Sequence, residues 1–501
     1  MRRVLVNGHR SKGQINRNLY GHFAEHLGRC IYGGFYVDPG QTEIPQQGGL
    51  RLDVIQALKQ LDIPLLRWPG GSFADTYHWQ DGVGPKTSRR PMINAVWGGT
   101  LETNHFGTQE FLELCQRLGC EPYITGNTAS GDIQELKAWV DFCNLPAGLP
   151  GAELRTACGY PEPWHVRYWG IGNEPWGGGK ASDARFYALQ YRQFARFLRS
   201  DPQHPLCRVA CGASVDDYSW TQVMMQELGT EMDLLSLHYY TRPYKDWGQK
   251  GPATGFSRQE YYNTLENAFY MDELIENHSR IMRQYDPASK VRLAVDEWGT
   301  WFAPEAATNP AFLYQQNTMR DALVAAIHLN LFNNHCDTVA MANLAQTVNV
   351  LQALILTDGP RLLLTPTYYV FLLFKAHQAA RQLETFAETQ LISHGDASLP
   401  DLSASASQSE DGSVLLTLAN LDDQNSQDLT IYLDGIGASP LHLPQAGGAL
   451  LSGGLRGAGA YNCFEQPERV KPEQLAVTSA GPGKLIVRLP ESSIAAIRVA
   501  L

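Results

Sequence analysis

The chain has 501 residues, 44% of them apolar and 18% charged, with a formal charge of −11, enough for one large domain and a smaller companion. The acidic balance excludes a general nucleic-acid binder, which needs a basic face to neutralise phosphates. Nine cysteines spread along the chain read as reduced, mostly buried thiols. Cys207 and Cys211 could share a strand face and Cys115 and Cys120 flank a helix end, but neither pair has zinc spacing.

The opening residues, Met1-Arg2-Arg3-Val4-Leu5-Val6, lack the apolar core of about 7–15 residues and the small-residue cleavage site of a signal peptide. No later run suits a bilayer, since the best candidate, Val350 to Leu364, is broken by Gln352, Thr357, Asp358 and Arg361. A cytoplasmic protein with no membrane partner is expected. After a polar segment with one strand-like piece, Val4 to Val6, an alternation begins. Strands are predicted over Leu19–Leu27, Leu65–Pro69, Pro122–Gly126, Val166–Gly172, Arg208–Ala213, Leu234–Tyr240, Arg292–Glu297 and Val339–Leu344. Helices are predicted over Leu52–Leu61, Thr108–Leu118, Ile133–Cys143, Ala184–Arg199, Thr221–Leu228, Tyr261–Tyr285, Leu313–Asn333 and Thr367–His377. In the fourth helix Asp183 is the expected N-cap, and Tyr187, Tyr191, Phe194 and Leu198 recur at helical spacing. Eight strand–helix units over residues 18–380 predict a (β/α)8 TIM barrel, whose site lies at the carboxyl ends of its strands. An open doubly wound sheet is the alternative topology.

Past residue 380 helical periodicity gives way to short alternating runs, such as Ser413–Leu418, Leu429–Leu433 and Lys484–Leu489, between Asp-, Gly- and Pro-rich turns. Residues 381–501 are therefore expected to form an antiparallel, jelly-roll-like β-sandwich. Gln445 to Gly459, rich in Gly and Ala, is expected to be loop. No exposed aromatic row marks a separate sugar-binding module, so the sandwich is read as a brace for the barrel.

Two strand ends carry the chemistry. Trp164-His165-Val166-Arg167-Tyr168-Trp169-Gly170-Ile171-Gly172-Asn173-Glu174-Pro175-Trp176 is an apolar strand that breaks at a Gly-rich turn and leaves Glu174 at the end of strand four. Val291-Arg292-Leu293-Ala294-Val295-Asp296-Glu297-Trp298-Gly299 leaves Glu297 at the end of strand seven. Opposed carboxyl groups suit glycoside hydrolysis, in which one protonates the leaving oxygen while the other attends the anomeric carbon; neighbouring tryptophans offer faces for sugar rings. Other strand ends add Glu25, Arg67, Ser72, His238 and Gln346, a mix of groups suited to sugar hydroxyls. An Asn-Glu or Asp-Glu pair alone is usually a solvated turn; its place after an apolar strand argues otherwise. Strict alternation points Asp296 away from Glu297, in a supporting hydrogen-bond role. His238 is read equally as a structural histidine or a ligand contact, and Arg67 as a partner of Glu25 or as the group that keeps nearby carboxylates ionised.

Two strings mimic other chemistry. His22-Phe23-Ala24-Glu25-His26 matches the H-x-x-E-H of zinc peptidases, but Gly21, Gly28, Gly33 and Gly34 make the required helix costly. Gly177-Gly178-Gly179-Lys180 resembles the end of a phosphate-binding loop, yet Glu174 stands where the first Gly is needed and Ala181 follows the Lys. No metal or cofactor is expected.

The strings His22-Phe23-Ala24-Glu25-His26-Leu27-Gly28, Arg67-Trp68-Pro69-Gly70-Gly71, Gly170-Ile171-Gly172-Asn173-Glu174, Asp296-Glu297-Trp298-Gly299-Thr300-Trp301 and Asn343-Leu344-Ala345-Gln346-Thr347-Val348-Asn349 resemble glycoside hydrolase family 51, the α-L-arabinofuranosidases, in motif order from about residue 15 onward. The resemblance implies an exo-acting retaining enzyme, with Glu174 as general acid/base and Glu297 as nucleophile. It implies that Glu25, Arg67, Asn173, Tyr240 and Gln346 contact a terminal furanose and that Trp97 and Trp301 line the site. Ser72 and His238 complete the expected contacts, although Ser72 departs from the larger amide or thiol residue many relatives carry there. It further implies that residues 1–17 return to the sandwich, that the chain forms hexamers, and that arabinan, arabinoxylan or arabino-oligosaccharides are substrates. An endoglucanase or β-xylosidase of the same family, a silent carbohydrate-binding protein and a zinc metallopeptidase are the competing readings.

Overall fold

The computed structural model describes residues 2–177, 182–436 and 445–500. Eight strands, β1 (Gly21–Phe23), β2 (Leu65–Trp68), β3 (Glu121–Gly126), β4 (Tyr168–Ile171), β5 (Cys207–Ala210), β6 (Leu234–Thr241), β7 (Arg292–Thr300) and β8 (Val339–Leu344), close into one barrel in chain order. All pair in parallel, and β8 returns to β1 through Asn343 opposite Gly21 and Leu344 opposite His22. Helices α1 (Leu52–Leu61), α2 (Thr108–Leu118), α3 (Ile133–Asn144), α4 (Ala184–Phe197), α5 (Tyr218–Glu227), α6 (Arg258–Tyr285), α7 (Met319–Asn334) and α8 (Pro366–Phe374) each follow one strand. Covered on both faces, the strands are near-continuous apolar runs: every residue of β6 and β8 is buried. The open doubly wound sheet is thereby excluded.

Capping explains several helix limits. Asp183 caps α4 by accepting from the Phe186 amide at 2.8 Å. α6 starts at Arg258, ahead of the expected Tyr261, because Ser257 and Glu260 form a reciprocal capping box. α7 starts only at Met319, behind a box of Thr318 and Asp321, while Leu313 lies in the left-handed region at φ 50°. α8 stops at Phe374 and tightens into a 3-10 turn over Lys375–His377. The first predicted strand shrinks to three residues because Arg17–Tyr20 form a 3-10 turn capped by Asn16.

Arg2–Asn7 begins the chain inside a ten-stranded sheet formed otherwise by C-terminal strands. It lies between Arg381–Ala387, antiparallel, and Gln427–Asp434, parallel, so the sandwich is not wholly antiparallel. Val4, Val6, Leu383, Leu416, Leu429, Ile431, Leu485, Val487 and Ile497 share its core. Gln445–Ser452, expected as loop, is a strand paired along its length with Ser493–Ala500. Its small residues fit a crowded place: a Cβ on Gly448 would meet Leu475 O at 3.0 Å.

The strand Leu402–Gln408 joins the two units by alternation. Leu402 and Ala406 face the sandwich core, while Ser403, Ser405 and Ser407 face the barrel. Ser403 and Ser405 accept from the Asn330 and Asn333 amides at 3.1 Å each, and Ser407 bonds His377 Nδ1 at 2.7 Å. Arg258 adds a two-pronged ion pair to Asp423 at 2.8 Å.

Candidate active site

β4 leaves the ladder at Gly172, φ 89°, where a Cβ would stand 2.3 Å from Thr128 Oγ1. Two residues on, Glu174 itself has φ 37°, a conformation that L side chains adopt at a cost. The turn carries its carboxylate over the barrel mouth, where Glu174 Oε1 lies 2.7 Å from His238 Nδ1 on β6.

Glu297 reaches the same point from β7. Its Oε1 accepts from Arg67 Nη1 at 2.7 Å and its Oε2 from the Tyr240 hydroxyl at 2.9 Å. Carboxylate oxygens of Glu174 and Glu297 and a nitrogen of His238 lie within 4.8 Å of one another. Asp296 does not point away as strict alternation predicts. The pairing of β6 with β7 slips between Ser236 opposite Ala294 and His238 opposite Glu297, a bulge that turns adjacent side chains toward one side. Asp296 Oδ1 lies 3.1 Å from His238 Nε2, and its Oδ2 accepts from the Tyr123 hydroxyl at 2.8 Å.

His238 is thus held between carboxylates at both nitrogens. Burial opposes its charge, but Glu297, Asp296 and the bond to Glu174 outweigh burial and hold the imidazolium up to about 10. Asp296 is lowered: burial works against its charge, and Arg67 and His238 overcome it. Arg67 is fully buried over the Phe23 ring, 4.6 Å from its centroid, and also donates to Asn173 Oδ1 at 2.8 Å and Thr125 Oγ1 at 3.2 Å. Its hydrogen bonds therefore go to Glu297 and Asn173 rather than to Glu25.

Glu25 sits beyond β1 against Gly70 and Gly71; a Cβ on Gly71 would lie 2.9 Å from Glu25 Oε1, so the bare backbone makes room for the carboxyl group. Trp97 Nε1 donates to Oε1 at 2.9 Å and Gln346 Nε2 to Oε2 at 2.7 Å. Burial and the charge of Glu297 push the Glu25 carboxyl up to about 8. Gln346 Oε1, also buried, has no hydrogen-bond partner within the protein.

These groups border a cavity of about 260 Å³ whose lining includes Glu25, Ser72, Trp97, Glu174, His238, Tyr240, Glu297, Trp301 and Gln346, with Arg67 and Asn173 bonded behind it. The structure thus brings all eleven expected side chains together. Trp301 meets Tyr240 edge-on, centroids 5.0 Å apart, and Trp247 at 5.0 Å. Trp176, one of the tryptophans expected beside the carboxylates, also lines the pocket, whereas the sequence reading did not single out Ser214, Val215, Arg242 or Trp247 as pocket residues, nor Tyr123 and Thr125 as supports. Trp247 carried a signal, an exposed Trp in a polar loop.

The H-x-x-E-H string is split between β1 and a turn, not a helix. His22 is buried against Phe371, 4.7 Å between centroids, and pushed down to about 3 by burial. His26 accepts from Trp68 Nε1 at 3.0 Å and donates from Nδ1 to Glu102 at 2.6 Å. Gly178, Gly179 and Lys180 of the other string lie outside the described residues. The described residues include no helix long and apolar enough to cross a membrane.

Family models for the α-L-arabinofuranosidase 1 domain and the α-L-arabinofuranosidase C-terminal domain match residues 57–262 and 296–493. An intracellular exo-α-L-arabinofuranosidase of Bacteroides ovatus is 43% identical over 498 residues, covering 99% of this chain and 95% of that protein. The crystal structure of the GH51 arabinofuranosidase from Xanthomonas axonopodis pv. citri is 41% identical with a TM-score of 0.96 and full coverage of both chains. That of the α-L-arabinofuranosidase from Thermotoga maritima in complex with arabinose is 31% identical with a TM-score of 0.86, again covering both chains fully. Two carboxylates facing one another across a sugar-sized cavity at the mouth of this barrel and these likenesses agree: the chain is a glycoside hydrolase and belongs to the α-L-arabinofuranosidases of family 51.

Proposed function

We propose that the enzyme removes terminal non-reducing α-L-arabinofuranosyl residues with retention of configuration. The observation that carries this reading is that a carboxylate oxygen of Glu174 and one of Glu297 lie within 4.8 Å of each other, which fits the roughly 5–5.5 Å between carboxyl groups in retaining glycosidases and not the ~6.5–9.5 Å that would admit a water for inversion. Glu297 attacks the anomeric carbon as Glu174 gives its proton to the glycosidic oxygen; the bond to the leaving group breaks and an arabinosyl ester forms. Glu174, now a carboxylate, takes a proton from water, whose oxygen attacks the anomeric carbon and frees Glu297 and arabinose. Arg67 and Tyr240 aim Glu297. Glu25, Asn173, Gln346 and Ser72 bond the sugar hydroxyls, with Trp97 and Trp301 as apolar walls.

A cavity of about 260 Å³ lies below the ~300–1,000 Å³ of most ligand pockets, which supports a single terminal residue over an internal chain segment. Arabino-oligosaccharides are the preferred substrates in this reading, ahead of arabinan or arabinoxylan, because a cytoplasmic enzyme meets short imported chains; the relative named as intracellular supports that placement. Family likeness supports a homo-oligomer, a hexamer, which light scattering would measure.

The deciding experiment follows 4-nitrophenol release from the α-L-arabinofuranoside by wild type, Glu174→Ala and Glu297→Ala, each with and without azide. Both variants should collapse, and azide should rescue Glu174→Ala as an arabinosyl azide of retained configuration. Full activity in Glu297→Ala would overturn the mechanism. Cleavage of a xyloside or cellodextrin in place of the arabinoside would keep the carboxylates and replace the sugar.

A further inference from the structure

The pocket is walled on the side of β1, β2 and β8 by Glu25, Trp97 and Gln346 and opens on the side of β5 and β6. There Ser214, Val215, Tyr239, Tyr240 and Arg242 also line a second cavity, of about 950 Å³, which runs over α6 as far as Asp396. Asp396 sits at the turn of a sandwich hairpin, Leu391–His394 with Ala397–Pro400. Tyr270 of α6 stands in this groove edge-on to Tyr239, centroids 5.8 Å apart, and donates to Asp216 Oδ2 at 3.0 Å.

We infer that this groove receives the leaving-group chain of the substrate and that the chain is a neutral oligosaccharide. The inference rests on the glycosidase reading above. Glu174 gives its proton to the glycosidic oxygen from β4, so whatever that oxygen carries departs past β4 and β5, away from the wall of Glu25 and Gln346. The groove begins at that exit, in the residues it shares with the pocket. Its half-buried phenol rings and amides match sugar faces and hydroxyls. Asp216, Glu266, Glu273 and Asp396 outnumber the cations Arg242 and Lys245, so a chain bearing uronates is repelled and a neutral one is not.

The test compares kcat/KM for 4-nitrophenyl α-L-arabinofuranoside, arabinobiose and arabinotetraose in wild type, Tyr270→Ala and Asn263→Ala. Wild type should gain about tenfold from arabinobiose to arabinotetraose, and each variant should lose most of that gain while 4-nitrophenol release is unchanged. A wild-type rate indifferent to chain length, or a gain that survives both substitutions, overturns the inference. Calorimetric binding of arabinotetraose to Glu297→Ala, with and without Tyr270→Ala, reads the groove without turnover: about tenfold weaker binding in the double variant supports it, and equal Kd values overturn it. Failure of wild type to release 4-nitrophenol would sink the arabinofuranosidase reading instead, and the calorimetric comparison would still decide the groove.

Discussion

His238 Nδ1 lies 2.7 Å from Glu174 Oε1, while the same ring's Nε2 lies 3.1 Å from Asp296 Oδ1. One imidazolium therefore orders the carboxylate of β4 and the bulge of β7 at once. His238→Asn removes the cation but keeps a polar side chain. Asp296, held low in part by His238, loses a stabilising charge, so its ionisation moves upward. The acid limb of the pH–rate profile should shift to higher pH, and kcat should fall by about 10²-fold with little change in KM. A profile identical to that of wild type would remove His238 from this role.

Stability should fall toward alkaline pH, and Glu25 should account for part of the fall. Its folded value, about 8, is above the ordinary 4.5, so its contribution is present below about 4.5 and lost as pH rises through about 8. His238, raised from 6.5 to about 10, adds a slope of the same sign that ends higher. Scanning calorimetry from pH 5 to 9 should show Tm declining in wild type and declining less in Glu25→Gln. Parallel curves would contradict the assignment.

Arg67→Met should cost more stability than activity alone explains. The guanidinium is fully buried and bonds Glu297, Asn173 and Thr125; without it Glu297 and Asp296 stay buried with one cation fewer. Breaking such a network costs about 3–5 kcal/mol, and chemical denaturation should register a loss of that order. A loss below about 1 kcal/mol would mean that the site is wetter than the burial of Arg67 implies.

Position 174 should reverse the usual order of Ala and Gly. Both Glu174→Ala and Glu174→Gly delete the carboxylate, so their difference isolates the backbone. At φ 37° glycine escapes a Cβ penalty of about 1–2 kcal/mol, and Glu174→Gly should be the more stable by about 1 kcal/mol. The opposite order in denaturant titration would show that the turn relaxes once the carboxylate is gone.

The barrel was legible because Gly, Pro and polar residues end each apolar run where the chain turns over the barrel mouth. Glu174 and Glu297 stood out for the same reason: each follows strand residues with no other use for a carboxylate. The aim of Asp296 was hidden, because the bulge that turns it depends on how β7 registers against β6, a relation between segments far apart in the chain. Gln445–Ser452 was hidden differently. Its glycines and alanines carry little strand propensity, and Ser493–Ala500 supplies the ladder that makes it a strand. Tyr123 and Thr125 look like ordinary core residues of β3 until Asp296 and Arg67 are seen beside them.

The strand Arg2–Asn7, held between Arg381–Ala387 and Gln427–Asp434, sets an order on synthesis. The ribosome makes this strand before the barrel, and its neighbours emerge only after the whole barrel has been translated, so the segment waits unpaired while the barrel forms. A fragment beginning at residue 381 would have a slot in its sheet bordered by two open edges, a template for self-association. Moving the six residues of this strand to the far end of the chain through a flexible linker would let the sandwich close on its own schedule, and any gain in soluble yield would measure what the waiting costs the natural chain.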